Sequence, residues 1–367
     1  MKQLLGRFAQ RITGRGPHGV APFDSVEADL VRARATLAAG TWPDGALHAV
    51  EADRTVVAGS FALLGQQIPK PLRPAAQLSP VRRLFALRDA CVAGDDGVVW
   101  CPHLGLAVEE TVRQWHGGPD THPLLSAPRY PVATPLPGVA LNLGSLDAGG
   151  FYHFLHESFP RLALARKWLD HVDHFLCPGG PDSFHGGWLE LAGVPAARIR
   201  WLHGHAHWRC EQLLFTNLPT DDCAPTLWLF GAIRELARWS PAPYPTRRLW
   251  LTRRDAPSRR LAWEDRLLAL LPDFEPVSLA RLPAAEQVAL FASAAVVAGP
   301  GGAGFANLPF CHPNARVVEL LSDLLPLPLY AQLAAVAGLP HAWAIVDFQR
   351  EPDDLPALAA AIRAFIS

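Results

Sequence analysis

AAVVAGPGGAGFANLPF, residues 294–310, sets an apolar, strand-like run against four glycines in six positions. Gly299, Gly301 and Gly304 stand in G-x-G-x-x-G register, and Glu319 follows twenty residues after Gly299. That spelling is the dinucleotide fingerprint, whose glycines let the backbone approach a pyrophosphate. Two details oppose it. Pro300 stiffens the loop. The next strand-like run begins near Ala315, leaving about eight residues with Pro309 among them, where a parallel crossover takes ten or more. A dinucleotide unit also usually opens its domain, and this loop comes late in the chain. What survives is the loop's physics. Gly299, Pro300, Gly301, Gly302, Ala303 and Gly304 either present backbone N–H groups to a phosphate or make a tight turn that needs positive φ.

Outward from the loop the chain alternates. RLWLTRR, FEPVSL, AAVVAG, ARVVEL and AWAIVD read as strands, with helical patterns over 262–271, 283–293, 327–337 and 353–366 between and after them. Upstream, GVALNLG (138–144), HFLCPG (174–179), RIRWLHG and CEQLLFTN are strands, and 151–168, 183–192 and 225–239 are helices. Such alternation predicts parallel sheets with helices on both faces. SPAPYPTRR (240–248), with three prolines, reads as an interdomain linker. Residues 46–110 hold short strand-like runs parted by turns, and 24–39 look helical, with Asp24 or Ser25 as cap. The expected division is 1–45, an N-terminal helical segment; 46–240, an α/β domain; 241–350, a second α/β domain; and 351–367, a terminal helix crossing back to the first domain.

Composition narrows the class. At 367 residues the chain suits two domains. Half its residues are hydrophobic and 18% are charged, which fits a globular protein. A net charge of -1 offers no global field for nucleic acid. Six cysteines without a C-x-x-C pair read as reduced and cytosolic. No stretch reaches the ~20 apolar residues of a membrane span. The N-terminus carries Lys2, Arg7, Arg11 and Arg15 without an acid, with Leu4, Leu5, Phe8 and Ile12 at helical spacing. It reads either as a helix lying on the inner membrane surface or as a frayed basic terminus.

LWLTRRDAPSRR (249–260) places Thr252, Arg253, Arg254, Arg259 and Arg260 just after a strand. Open α/β sheets bind ligands at strand carboxyl ends, and guanidinium binds phosphate oxygens in pairs. A solvated basic loop is the alternative.

These residues carry a resemblance. The run from Leu249 to Leu321 resembles glycosyltransferase family 61, which includes bacterial capsular-polysaccharide-type transferases and plant xylan arabinosyltransferases. The matching features are Thr252 to Arg260 at the strand end; Glu286, Gln287 and Phe291 on a helix; and Gly299 to Asn307 before Glu319. FYHFLHESFPRL (151–162) resembles the family's Y-H helix through Tyr152, His153, Glu157, Pro160, Arg161 and Leu162. The resemblance runs from about residue 80 to 345. It implies a GT-B-like α/β fold: two Rossmann-like parallel-sheet domains facing a cleft, here with an N-terminal β-rich extension. It also implies inverting, metal-independent transfer from a nucleotide sugar to a glycan or lipid-linked glycan, in capsular or exopolysaccharide synthesis, with no cofactor. Thr252, Arg253, Arg254, Arg260, Gln287, the loop from Gly299 to Gly304, Asn307 and Glu319 would then hold the donor. Glu319 either accepts from ribose hydroxyls or is a plain strand-terminal carboxylate. The family often has histidine where this chain has Gly301, and asparagine where it has Gly150. Those departures open a second reading, a catalytically degenerate homologue that binds nucleotide or glycan. NAD-dependent oxidoreduction, read from the glycine register, is a third.

An inverting transfer needs one base for the acceptor hydroxyl. His153 and Glu157, at i and i+4, share a helix face. His153 is the expected base or acceptor-orienting residue and Glu157 its partner, with reversed roles open. His156 is one position off that face. Tyr152 is assigned to the acceptor side, and Arg161 reaches donor phosphates or pairs with Glu157. The H-x-x-H-E spelling also suggests zinc, but metalloprotease helices place their histidines at i and i+4, and these lie three apart. HGHAH (203–207) reads as surface strand or loop, and no metal is expected.

Overall fold

The computed structural model describes residues 21–23, 45–50, 54–56, 61–64, 66, 76–78, 81–102, 106–108, 111–112, 122–126, 131–217, 225–324, 326–327 and 329–367. The expected N-terminal basic helix and the 24–39 helix lie outside these residues. The chain divides into two compact units, Met1–Ala52 with Pro80–Asp221, and Asp53–Ser79 with Asp222–Ser367.

The first unit is built on a nine-stranded mixed sheet. Its strands are β1 (Ala21–Phe23), β2 (Gly45–Val50), β6 (Arg82–Ala93), β7 (Val98–Cys101), β8 (Leu106–Val108), β9 (Thr134–Asn142), β10 (His174–Pro178), β11 (Ile199–Leu202) and β12 (His207–Thr216). The order is β1-β8-β7-β6-β12-β9-β10-β11, with β2 also on β6. From β12 to β11 neighbouring strands run parallel, while β6 pairs antiparallel with β12, β2 and β7. Phe85, Leu136, Leu176, Leu213 and Phe215 are packed together in its core. A helical run beginning at Phe151 follows β9, and α1 (His185–Leu191) follows β10.

The second unit holds a six-stranded, all-parallel sheet in the order β14-β13-β15-β16-β17-β4. Here β4 is Phe61–Ala62, β13 Arg247–Leu251, β14 Glu275–Val277, β15 Ala294–Pro300, β16 Arg316–Ser322 and β17 His341–Val346. The helices are α2 (Leu227–Leu236), α3 (Glu264–Ala269), α4 (Ala284–Ala292), α5 (Leu329–Val336) and α6 (Leu355–Ile366). Taken in chain order, β13 to β17 fall in the doubly wound arrangement 2-1-3-4-5. The winding reverses between β13 and β15, and ligands of such sheets bind at that switch point, beyond the strands' carboxyl ends. A small antiparallel pair, β3 (Arg54–Val56) with β5 (Ala76–Leu78), completes the unit. The α/β class and the alternation match the expectation.

Three expected boundaries move. Residues 53–79 belong to the second unit, because β4 adds to the edge strand β17. Gln66 secures that edge: its amide donates to the Ile345 carbonyl at 3.0 Å and accepts from the Ile345 N–H at 2.8 Å. The change of unit falls at 221/222 rather than in the proline-rich run. Helix α2 is tied to the second unit, since Arg234 and Trp239 donate to the Pro309 and Phe310 carbonyls. The run itself lies on that unit through Ala242 N–H to Ala292 O and Thr246 N–H to Ser293 O. The terminal helix α6 does not cross back. It buries Leu355, Leu358, Ala359, Ile362 and Ile366 in the second unit's core, beside Leu267 of α3.

Candidate functional site

In the first unit, β9 runs out into a loop from Leu143 to Gly150. Asn142 fixes its start, donating to the Gly97 carbonyl at 2.7 Å and accepting from the Gly144 N–H at 2.9 Å. Asp147 sits in the left-handed region at φ 56. Its carbonyl accepts from the Gly150 N–H at 2.8 Å, which turns the chain into the next helix. That helix is α-helical over Phe151–His153, widens to a π turn over Phe154–Ser158, and resumes over Arg161–Leu164. The Phe159 N–H to Phe154 O bond, 2.8 Å, marks the wide turn. Such turns often accompany functional sites.

Across the π turn His153 and Glu157 still meet: His153 Nδ1 lies 3.2 Å from Glu157 Oε1. The imidazole is 21% exposed and the carboxylate 4%, so one edge of the pair meets solvent. Ser145 Oγ donates to the other carboxylate oxygen at 3.1 Å. Burial lowers the basicity of His153, but the Glu157 hydrogen bond, the Glu157 charge and that of Asp147 outweigh it and raise the pKa. When Nδ1–H faces the carboxylate, the basic lone pair of neutral His153 is on Nε2.

The neighbours are structural. His156 is buried and stacks on Tyr152, ring centroids 4.7 Å apart. Tyr152, expected on the acceptor side, is itself buried. Arg161 is buried, donating to the Glu157 carbonyl at 2.9 Å and to the Thr216 carbonyl at 3.1 Å. Both of these bonds go to backbone oxygens, one of them that of Glu157. His207 is buried between the Trp100 indole N–H and the Pro131 carbonyl, while His203 and His205 are exposed, so HGHAH is not gathered. Among the described residues no group of three or more His, Cys, Asp or Glu could hold a metal ion.

In the second unit the switch point brings Arg253 and the glycine loop together. Gly299 has φ 151, and a Cβ there would come within 2.6 Å of the Leu251 carbonyl oxygen, so only glycine lets β15 lie this close to β13. A Cβ on Gly302 would collide with Arg253 NH1. The guanidinium thus lies on bare backbone at the loop. Arg253 Nε and NH2 donate to the carbonyls of Arg259 and Ser258, each at 3.1 Å, which aims the third nitrogen at Gly302. Burial, then the nearby Arg259, lowers the Arg253 pKa. Both effects disfavour the cation, and an anion would reverse them. The segment after the loop is a 3-10 helix, Ala303–Phe310, containing Pro309.

Other expected donor residues have different partners. Arg254 is held by Glu264 at 2.7 Å and by Asp265. Thr252 donates to the same Glu264 oxygen at 2.7 Å, and Trp250 Nε1 to the other at 2.8 Å. Buried Glu264 therefore fixes residues 250, 252 and 254, and Arg253 between them inherits its direction. Sequence reasoning missed Glu264; its signal was an acid opening the helix after an arginine pair. Arg260 is exposed and donates to the Ala256 carbonyl. Gln287 and Asn307 are buried and bonded to each other at 3.1 Å, and Gln287 also holds the Leu279 and Leu282 carbonyls. They brace the 3-10 helix against α4. Glu319 is buried within β16, with Oε2 3.3 Å from His341 Nε2. Burial raises its pKa over the opposing hydrogen bond and charge of His341. That burial removes it from the ribose contact proposed for it. A Cβ on Gly301 would come within 2.8 Å of Glu319 Oε1, so this glycine makes room for the carboxylate.

In the second unit, an arginine on a glycine loop at a doubly wound switch point suits an anionic group; in the first, a histidine–carboxylate pair suits proton transfer. Residues 151–318, which include both features, match the sequence model of Glycosyltransferase 61. Over that stretch the chain is similar to the family, and the match supports membership of it and glycosyltransferase activity. No curated protein matches it. No helix among the described residues is long and apolar enough to cross a membrane.

Proposed function

We propose that the chain transfers a sugar, with inversion and without a required metal ion or cofactor, from a nucleoside-diphosphate sugar to a hydroxyl of a glycan or lipid-linked glycan. The observation that carries this reading is the Arg253 guanidinium lying on Gly302 at the switch point. The donor diphosphate sits there, held by Arg253 NH1 and by N–H groups of the 299–304 loop. As the anomeric C–O bond breaks, the leaving diphosphate gains charge, which a preorganised cation stabilises most in a water-poor site. Neutral His153 takes the acceptor's proton on Nε2 while the acceptor oxygen forms the new anomeric bond. Glu157 and Asp147 stabilise the imidazolium, which then returns its proton to solvent. The family's bacterial polysaccharide transferases make surface-glycan synthesis at the inner membrane face the fitting setting.

The test is a thermal-shift screen of uridine, guanosine and cytidine nucleotide sugars against wild type and Arg253→Ala, with NAD(H) as control. A stabilising nucleotide sugar whose effect is lost in Arg253→Ala is expected. Stabilisation by NAD alone would overturn the reading. A nucleotide sugar that binds through Arg253 but is not turned over with any glycan acceptor would instead favour the degenerate homologue.

A further inference from the structure

The loops after β9 and β10 are joined by a residue with no part in the transfer chemistry. His185 is buried, donates from Nε2 to the Ala148 carbonyl at 2.8 Å, and has Ser183 Oγ 2.8 Å from Nδ1. Burial lowers its pKa over the opposing hydrogen bond to Ala148, which favours the neutral ring. Gly179, at φ 91, makes room for it, since a Cβ there would collide with Nδ1.

On this fixed imidazole lies Phe184, its ring centroid 4.0 Å away and nearly parallel at 21°. The edges of Phe151 and Phe154 close on it at 5.4 and 5.6 Å. Three rings thus hold the phenyl group, yet it stays 36% exposed. One face is stacked on that imidazole, and the residue still meets solvent. Both loops also leave open space of their own: a Cβ on Gly149 or Gly180 would meet nothing within 4 Å. Phe151 stands two residues before His153 on the same helical run. Both loops leave the carboxyl ends of neighbouring parallel strands, where α/β sheets take ligands.

We propose that Phe184 is the acceptor platform: a pyranose ring of the acceptor lies face-on against its open side, with a hydroxyl turned toward His153. The chemistry is complementary. One face of a pyranose carries weakly positive C–H bonds, and the face of a phenyl ring is negative. The ring is held before the sugar arrives, so binding orders little that was loose. Asp147 in the first loop and Asp182 in the second are both exposed and offer carboxylates to the sugar's hydroxyl rim. This inference rests on the sugar-transfer reading but has a readout that needs no turnover.

The experiment is saturation-transfer NMR of the full chain with methyl glucoside, galactoside and mannoside. Wild type is compared with Phe184→Leu, which keeps apolar bulk without the ring, and with Phe184→Trp, which keeps an aromatic face. Wild type and Phe184→Trp are expected to show transfer from at least one glycoside. Phe184→Leu is expected to lose most of that signal and to raise acceptor KM about tenfold, with donor-nucleotide binding unchanged and the chain still folded by circular dichroism. Equal transfer in Phe184→Leu, or no glycoside binding by wild type, would overturn the platform. Phe184-dependent glycoside binding by a chain that transfers no sugar would uphold the platform and overturn the transfer reading.

Discussion

Replacing Glu157 by Gln removes one charge and almost no volume. The amide oxygen still accepts from His153 Nδ1–H, so the tautomer with its lone pair on Nε2 is kept. What is lost is the attraction between imidazolium and carboxylate. With Nδ1 and Oε1 3.2 Å apart, charge centres ~4 Å apart at an effective dielectric of ~20 attract by about 4 kcal/mol. Solvent at the exposed edge of the ring takes back roughly half. The remaining ~2 kcal/mol is a loss of about thirtyfold in kcat. The pH profile carries the sharper signature. In wild type the carboxylate raises the His153 pKa, and the base must be neutral to act, so the acid limb of kcat/KM lies above the ordinary histidine value. In Glu157→Gln that limb moves to lower pH while the plateau falls. Donor consumption measured from pH 5 to 9 with saturating acceptor reports both. A variant with unchanged kcat and an unmoved limb would refute the pairing.

Three further outcomes are expected. Gly302→Ala has little backbone cost, because Gly302 is extended at φ 178, yet its Cβ displaces Arg253; donor KM rises ten- to a hundredfold while the melting temperature holds, as steady-state kinetics beside calorimetry will show. Glu264→Gln weakens a buried hydrogen bond to Trp250 and half-buried ones to Thr252 and Arg254 and costs about 1–3 kcal/mol in urea unfolding. Glu319 has its pKa raised by burial, so the folded state holds its proton more tightly than the unfolded one; stability therefore falls as pH rises from the unfolded to the folded pKa, and unfolding curves across pH should show a shallower decline in Glu319→Gln.

The strand and helix alternation was legible because parallel strands buried on both faces are near-continuous apolar runs, as in Ala294 to Ala298, and as in Val317 to Leu321 with Glu319 its one interruption. The switch point was not, since strand order depends on which side of β13 each later strand joins. Without it the arginines looked equivalent. Position on the strand end separates them: Arg253 faces the loop, while Arg254 turns to Glu264. The His153–Glu157 pair could be read from spacing alone, because i and i+4 meet even across a π turn. Its supports, Ser145 and Asp147, come from a loop whose direction is fixed by Asn142 and a left-handed backbone. Gln287 and Asn307 matched the family pattern for a structural reason, their bond to each other. The placement of residues 53–79 rests on Gln66 filling a strand edge 279 positions away, which no local pattern contains.

The configuration of the product tests the central claim most directly. A single base that activates the acceptor hydroxyl permits one displacement at the anomeric carbon, which inverts it. Proton NMR of the fresh product, reading the anomeric coupling constant against that of the donor, should show the opposite configuration. Retention would mean two displacements or a different trajectory, and would contradict the role given to His153.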